Sequence, residues 1–124
     1  MKNAIIILSD PRAGSDEATS RLLNALAFAD ECQRNADELE IVFAGTGTRW
    51  PQELAKPTHP AHTRYSALRE HVRGASRSCA VRNDAVPGLE AVGVPLIADN
   101  LVPGSQGVAS LRRYVADGWH VTTF

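Results

Sequence analysis

Cysteine is scarce in this chain of 124 residues, which has only Cys32 and Cys79. Two cysteines do not make the disulfide framework of a small secreted protein, and the absence of any CxxC pair excludes a zinc ribbon or a thioredoxin motif. The apolar run from Ile5 to Leu8 is too short for the core of a signal peptide. No stretch approaches the roughly 20 apolar residues that cross a bilayer. We therefore expect a cytoplasmic protein with reduced thiols and no membrane partner.

Excess charge of either sign is also missing. The chain has 13 basic and 14 acidic residues and a net charge of −1, which gives no electrostatic reason to expect a nucleic acid or a membrane surface as partner. Hydrophobic residues make up 44% of the chain. That composition and length suit one compact domain over residues 1–124, which can bury about two-thirds of its unfolded surface without a metal or a disulfide.

Five segments have the character of strands. In order they are NAIIIL (3–8), LEIVFAG (39–45), ASRSCAV (75–81), a short strand within VGVPLIAD (92–99), and WHVTTF (119–124). The first two are apolar at successive positions, which is typical of strands buried on both faces of a parallel sheet. Ser76, Arg77 and Ser78 are poor core residues, so the third strand is predicted mainly from its place in the order.

Helices are predicted between these strands. The first covers residues 16 to about 35 after a cap at Ser15 or Asp16, and a short second helix begins at Pro51. The third covers residues 63–73 and is ended by Gly74. A fourth runs from a cap at Asn83 or Asp84 to Ala91, and the last covers residues 105–117 after a cap at Ser105. Val108, Leu111 and Val115 are the predicted apolar face of the last helix. The alternation predicts an α/β fold: a three-layer α/β/α sandwich on a mainly parallel sheet of about five strands.

Ligands of such sheets bind beyond the carboxyl ends of the strands. That edge would be lined by residues 9–15, 45–50 and 79–83, with residues 98–100 as a fourth candidate segment. SDPRAGS lacks the Walker spacing, and the acidic residues in and beside it would repel a phosphate, so turn and cap chemistry explains it best.

GTGTRW has no third glycine, so it is a weak dinucleotide-binding motif. Either Thr46, Thr48 and Arg49 hold a small anion there, or the segment is a turn with Trp50 packed on the domain or on a neighbouring subunit.

No metal site and no cofactor are predicted. His59 and His62 are three residues apart, but Pro60 lies between them and no Cys, Asp or Glu follows closely to complete a ligand set. His71 and His120 stand alone, and a structural or solvent-facing role explains them. No serine lies in a GxSxG motif, so a hydrolase nucleophile is unsupported.

Cys79 is the candidate for chemistry. It falls where the third strand gives way to the next helix, and Arg77 and Arg82 are close in sequence. Nearby cations or a helix N-terminus favour the reactive thiolate form of a cysteine, and in an extended strand Arg77 and Cys79 would point to the same side. The alternative is a small buried residue without chemistry, which is also our interpretation of Cys32.

The order of elements resembles the DsrE/DsrF-like family of small α/β proteins over nearly the whole chain. The resemblance rests on the strand AIIIL, a helix containing LLNALAFA, the strand EIVFAG, a helix, and then a cysteine after the third strand. The part from SCAVRND to GWHVTTF resembles an uncharacterised branch of the family. The resemblance implies a five-stranded three-layer sandwich, homo-oligomers that are trimers or hexamers, and, in members that relay sulfur, a persulfide on the residue that corresponds to Cys79.

The leading hypothesis is a sulfur-relay protein in which Cys79 accepts or transfers sulfane sulfur, with Arg77 or Arg82 stabilising the thiolate and a sulfur donor or acceptor protein as partner. The chain departs from relay members in having no second cysteine near Cys79.

A rival hypothesis is a non-catalytic module, or an oligomeric scaffold, of the same fold. In the module, a small anion or a nucleotide would contact Ser9, Gly45, Thr46, Arg49 and Asn83.

Overall fold

The structure, a computed structural model, describes all 124 residues and contains one five-stranded sheet in which every strand pair is parallel. The strands are β1 (Lys2–Ile7), β2 (Glu38–Phe43), β3 (Val72–Ser76), β4 (Leu96–Ile97) and β5 (His120–Thr123), in the spatial order β4-β3-β2-β1-β5. The helices are α1 (Asp16–Arg34), α2 (Trp50–Leu54), α3 (His62–Leu68), α4 (Arg77–Arg82), α5 (Val86–Ala91) and α6 (Arg112–Ala116). Two 3-10 helices cover Gly45–Arg49 and Arg69–His71.

One face of the sheet is covered by α1 to α5. The helix α1 begins where predicted, because Ser15 Oγ accepts a hydrogen bond from the Ala18 N–H and so satisfies one free donor of the first turn. Its apolar stripe, with Leu22 and Leu26, packs on Ile5 and Ile7 of β1 in the larger core. The helices α3 and α5 add their buried side chains to the same core.

The opposite face is covered by α6. Tyr114 of that helix is fully buried and packs in a second, smaller core with Ile6 of β1 and Val42 of β2. Helices therefore lie on both sides of the sheet, and the prediction of an α/β/α sandwich on a parallel sheet is confirmed. No helix has both the length and the apolar character needed to cross a membrane.

The third strand differs from its prediction. It covers Val72–Ser76, so α3 ends at Leu68 and the polar residues from Arg77 onward form α4 instead of continuing the strand. Gly74 does not end a helix but lies within β3, where a Cβ would come 2.5 Å from the Pro95 carbonyl oxygen. The strand thus begins at the apolar Val72 and stops before the charged, exposed Arg77.

The caps after α4 also differ from their prediction. Asn83 ends α4, and Asp84 has a left-handed backbone (φ of 54°). The helix α5 begins after Ala85 without a side-chain cap. A left-handed turn between two short helices, and not a capped helix, therefore follows Cys79.

The last helix is much shorter than predicted. Gly104 and Gly107 have positive φ angles, and Asn100 pairs with Val108 in an antiparallel bridge, so residues 100–108 form a hairpin-like turn. Ser110 and not Ser105 bonds the first turn of α6. Val115 is 65% exposed, so the predicted apolar face is wrong, and Tyr114 is the residue that packs inward.

Charged side chains fasten α6 and the segment after β4 to the sheet. Arg73 of β3 donates to Asp99 at 2.7 Å, and Arg113 of α6 donates to Glu40 of β2 at 3.2 Å. Burial alone would raise the pKa of Asp99, but its bonds from the Ser110 N–H and from Arg73 outweigh burial and lower that pKa. Burial, together with a hydrogen bond to Glu40, raises the pKa of Tyr114 to about 12. The second face of the sheet is therefore held by ion pairs that the sequence pattern did not reveal.

Candidate functional site

Three segments that follow β1, β2 and β3 meet at the carboxyl edge of the sheet, as predicted. Arg49, at the end of the 3-10 helix after β2, connects them. Its guanidinium donates to Asp10 Oδ2 at 3.0 Å in the loop after β1, and to the Asn83 carbonyl oxygen at 3.2 Å after α4. Because Arg49 and Asp10 are both mostly buried, this ion pair fixes the relative position of the three segments.

Asn83 joins α4 to the segment after β2. Its side-chain amide donates to the Cys79 carbonyl oxygen at 2.8 Å and to the Gly45 carbonyl oxygen at 3.2 Å. The Asn83 backbone N–H also donates to the Cys79 carbonyl oxygen, at 3.0 Å. The backbone of Cys79 is thus held firmly, and both amide hydrogens of Asn83 that a ligand would need are already in use.

The other residues of the predicted ligand set also bond to the protein itself. Thr46 Oγ1 donates to the Leu8 carbonyl oxygen at 2.9 Å, and Trp50 Nε1 donates to the Ser9 carbonyl oxygen at 2.7 Å. Trp50 is buried within the chain, as one of the two interpretations of GTGTRW has it. Ser9, Gly45, Thr46, Arg49 and Asn83 therefore do lie together, but most of their polar groups hold loops in place.

Cys79 is the third residue of α4 and is partly exposed at this edge. Because α4 is a helix, Arg77 lies about 200° around its axis from Cys79; the expectation that the two side chains share a side, which assumed a strand, is wrong. Arg82 lies one turn after Cys79, on a neighbouring part of the helix surface. Both arginines are exposed, and neither takes part in any of the ion pairs of the structure. Of the two cations, Arg82 is the better placed to approach the thiol.

Cys32 is a different kind of thiol. It is 2% exposed, on the inner side of α1. Burial raises the pKa of its thiol, and the nearby carboxylates of Asp37 and Glu31 raise it further. Its interpretation as a buried residue without chemistry agrees with this environment.

The imidazole rings of His59 and His62 bond to different backbone groups. His62 Nδ1 bonds to the Leu54 carbonyl oxygen at 2.8 Å, whereas His59 Nδ1 accepts a hydrogen bond from the Ala61 N–H at 3.1 Å. His59 instead lines a cleft of about 300 Å³ together with Arg12 and Arg49. Sequence reasoning missed Arg12 and His59 as neighbours of Arg49, because they are distant in sequence and only the fold brings them together.

Comparisons of the chain with protein-family models, with curated proteins and with solved structures gave no match.

Proposed function

We propose that this protein accepts sulfane sulfur on Cys79 and passes it on as a persulfide. The observation that carries the proposal is the placement of the two thiols. Cys79 is partly exposed at the edge of the sheet where parallel α/β folds bind their ligands, whereas Cys32 is buried. The resemblance to DsrE/DsrF-like proteins, whose relay members use a cysteine after the third strand, supports the same assignment.

The chemistry requires only one reactive sulfur. The Cys79 thiolate attacks the outer sulfur of a donor persulfide, R–S–SH; the donor S–S bond breaks, and R–S⁻ leaves as the new S–S bond forms. An acceptor thiolate then attacks the outer sulfur of the Cys79 persulfide, and the Cys79 thiolate leaves. Neither step has net oxidation or reduction, so no cofactor and no second cysteine in this chain are needed. A reducing compartment such as the cytoplasm would keep the thiol available.

We propose separate roles for the neighbours of Cys79. Asn83 holds the backbone of α4, which positions the thiol without occupying the sulfur atom. Arg82 would stabilise the thiolate, and Arg77, on the other side of α4, would contact the partner that brings or takes the sulfur. Assembly into trimers or hexamers belongs to the same proposal, since Leu101 and Val115 are exposed apolar side chains available for a subunit contact. Light scattering that shows only a monomer would contradict that part.

The test is a loading assay on three proteins: wild type, Cys32→Ser and Cys79→Ser. Each is incubated with cysteine persulfide, and the intact mass is then measured. We expect wild type and Cys32→Ser to gain the mass of one sulfur atom and to lose it again with a thiol reductant. Cys79→Ser should gain nothing, since Cys32 is shielded from solvent and its thiol pKa is raised.

Circular dichroism of the three proteins controls for folding. Loading of Cys79→Ser to the wild-type level would sink the proposal, as would a Cys32→Ser protein that folds but stays unloaded.

A further inference from the structure

A polar cleft opens at the carboxyl edge of the sheet, between the loop after β1 and the helix α2. Its volume of about 300 Å³ lies at the lower end of the range, roughly 300 to 1,000 Å³, of small-molecule sites. Side chains that line it include Arg12, Thr19, Arg49, Trp50, Gln52 and His59. None of its lining residues belongs to α4, so the cleft is separate from Cys79.

Several hydrogen-bond donors in the cleft have no partner within the protein. The Arg12 guanidinium makes no ion pair and no hydrogen bond; only its backbone N–H is bonded, to Asp10 Oδ1. Arg49 uses Nε and Nη1 for Asn83 and Asp10, which leaves Nη2 unbonded. The Thr19 hydroxyl and the Gln52 amide make no side-chain hydrogen bond either. These groups can all bond to a ligand without breaking an internal contact.

His59 is held so that it adds a further donor. Its Nδ1 accepts a hydrogen bond from the Ala61 N–H at 3.1 Å, so Nδ1 carries no proton and the ring proton lies on Nε2. The ring is held edge-on to Trp50, with centroids 6.3 Å apart. Nε2 makes no bond within the protein, so His59, which lines the cleft, has a free donor.

The charges of the cleft leave an excess of positive charge. Arg49 is neutralised by Asp10 at 3.0 Å, and Glu53, which also lines the cleft, is neutralised by Lys56 at 2.8 Å. Glu17 pairs with Arg21 and does not line this cleft. The Arg12 guanidinium is then the one charge without a partner ion among the lining residues, so the cleft favours an anion.

We propose that this cleft binds a small molecule through a tetrahedral oxyanion, a phosphate or a sulfate group. The donors that line the cleft come from separate segments: the loop after β1, the 3-10 helix and the segment after α2. That arrangement suits an anion with several oxygens better than a planar carboxylate, which one guanidinium can bind alone. The small volume favours a simple ester or the free ion over a dinucleotide.

Titration with inorganic phosphate, followed by the backbone amide signals in two-dimensional NMR, tests the proposal. We expect saturable shifts centred on residue 12, on residues 49, 50, 52 and 53, and on residues 59 and 61; the prolines among their neighbours have no backbone N–H and give no signal. Sulfate should give the same pattern, and acetate or chloride at equal ionic strength should not. Arg12→Ala should weaken phosphate binding at least about tenfold, because it removes the uncompensated charge. The matched control is Arg64→Ala, another exposed arginine without an ion pair, and should bind as the wild type does.

The outcomes separate the proposal from its rivals. Shifts that never saturate, or that follow every exposed cation, indicate an adventitious ion only and overturn it. Wild-type affinity in Arg12→Ala overturns it too, and saturation by acetate at the same affinity excludes the tetrahedral preference. Because the measurement does not involve Cys79, a failure of phosphate binding is distinct from a failure of persulfide loading.

Discussion

Replacement of Gly47 by alanine is expected to lower the free energy of unfolding by about 3 kcal/mol or more. Gly47 lies in the 3-10 helix after β2, directly against the end of β1. A Cβ at this position would come 2.1 Å from the Ile7 carbonyl oxygen and 2.8 Å from its carbonyl carbon. Both are backbone atoms, and the same oxygen accepts the Ala44 N–H at 3.0 Å, so neither side can move without loss of sheet bonding.

Urea denaturation of Gly47→Ala beside Gly104→Ala measures this effect. Gly104 has a φ of 80° but nothing within 4 Å of an added Cβ, so its substitution should cost only the left-handed backbone energy, roughly 1 to 2 kcal/mol. Since a domain of this kind has about 5 to 15 kcal/mol of stability in total, the Gly47 effect is large. Equal losses of unfolding free energy in the two variants would contradict the close approach of Gly47 to the end of β1.

Replacement of Arg49 by alanine is expected to cost about 2 kcal/mol of unfolding free energy. The Arg49 side chain is only 17% exposed, and its removal leaves the Asp10 carboxylate partly buried without its cation. It also removes the bond to the Asn83 carbonyl oxygen. The same variant should bind phosphate more weakly, because Arg49 contributes a donor to the cleft.

A double-mutant cycle with Asp10→Ala isolates the ion pair. We expect a coupling free energy of about 1 kcal/mol or more between the two positions. Arg21→Ala, which breaks the exposed pair with Glu17, is the matched control and should change stability by less than about 0.5 kcal/mol. A coupling free energy near zero between positions 10 and 49 would mean that the pair does not hold the edge of the sheet together.

Much of the fold follows from local pattern. The strands β1 and β2 end in continuous apolar runs, Ala4–Ile7 and Ile41–Phe43. The helix α1 has a capped start and an apolar stripe that repeats at helical spacing. These signals are strong because burial on both faces of a strand, or on one face of a long helix, restricts the sequence at many positions. The regular alternation of elements then leads to a parallel sheet with helices on both faces.

The errors occur where tertiary contacts decide the structure. Gly74 signals the end of a helix in isolation, but the approach of Pro95 requires a glycine inside β3. Val108 and Val115 are spaced as a helical face, yet Gly104 and Gly107 turn the chain back, and Ser76 and Ser78 bond to residues 106–109. Such long-range bonds leave no periodic signal in the sequence.

The candidate site was predictable in position but not in detail. The rule that ligands lie beyond the carboxyl ends of parallel strands located Cys79, Arg49 and Asn83 correctly at one edge. It could not reveal that both side-chain amide hydrogens of Asn83 bond to Gly45 and Cys79, since that depends on how the loops pack. The unbonded donors of Arg12 and His59 became visible only once the loops were in place.

Sulfur transfer by this protein requires that Cys79 reacts as a thiol in the folded state. The most direct test is the rate of alkylation by iodoacetamide in Cys32→Ser, measured for the native protein and for the protein unfolded in urea. We predict a native rate within about tenfold of the unfolded rate, because the side chain is partly exposed at the edge of the sheet. A native rate slower by about a thousandfold, so that reaction occurs only through unfolding, would contradict a role for Cys79 in sulfur transfer.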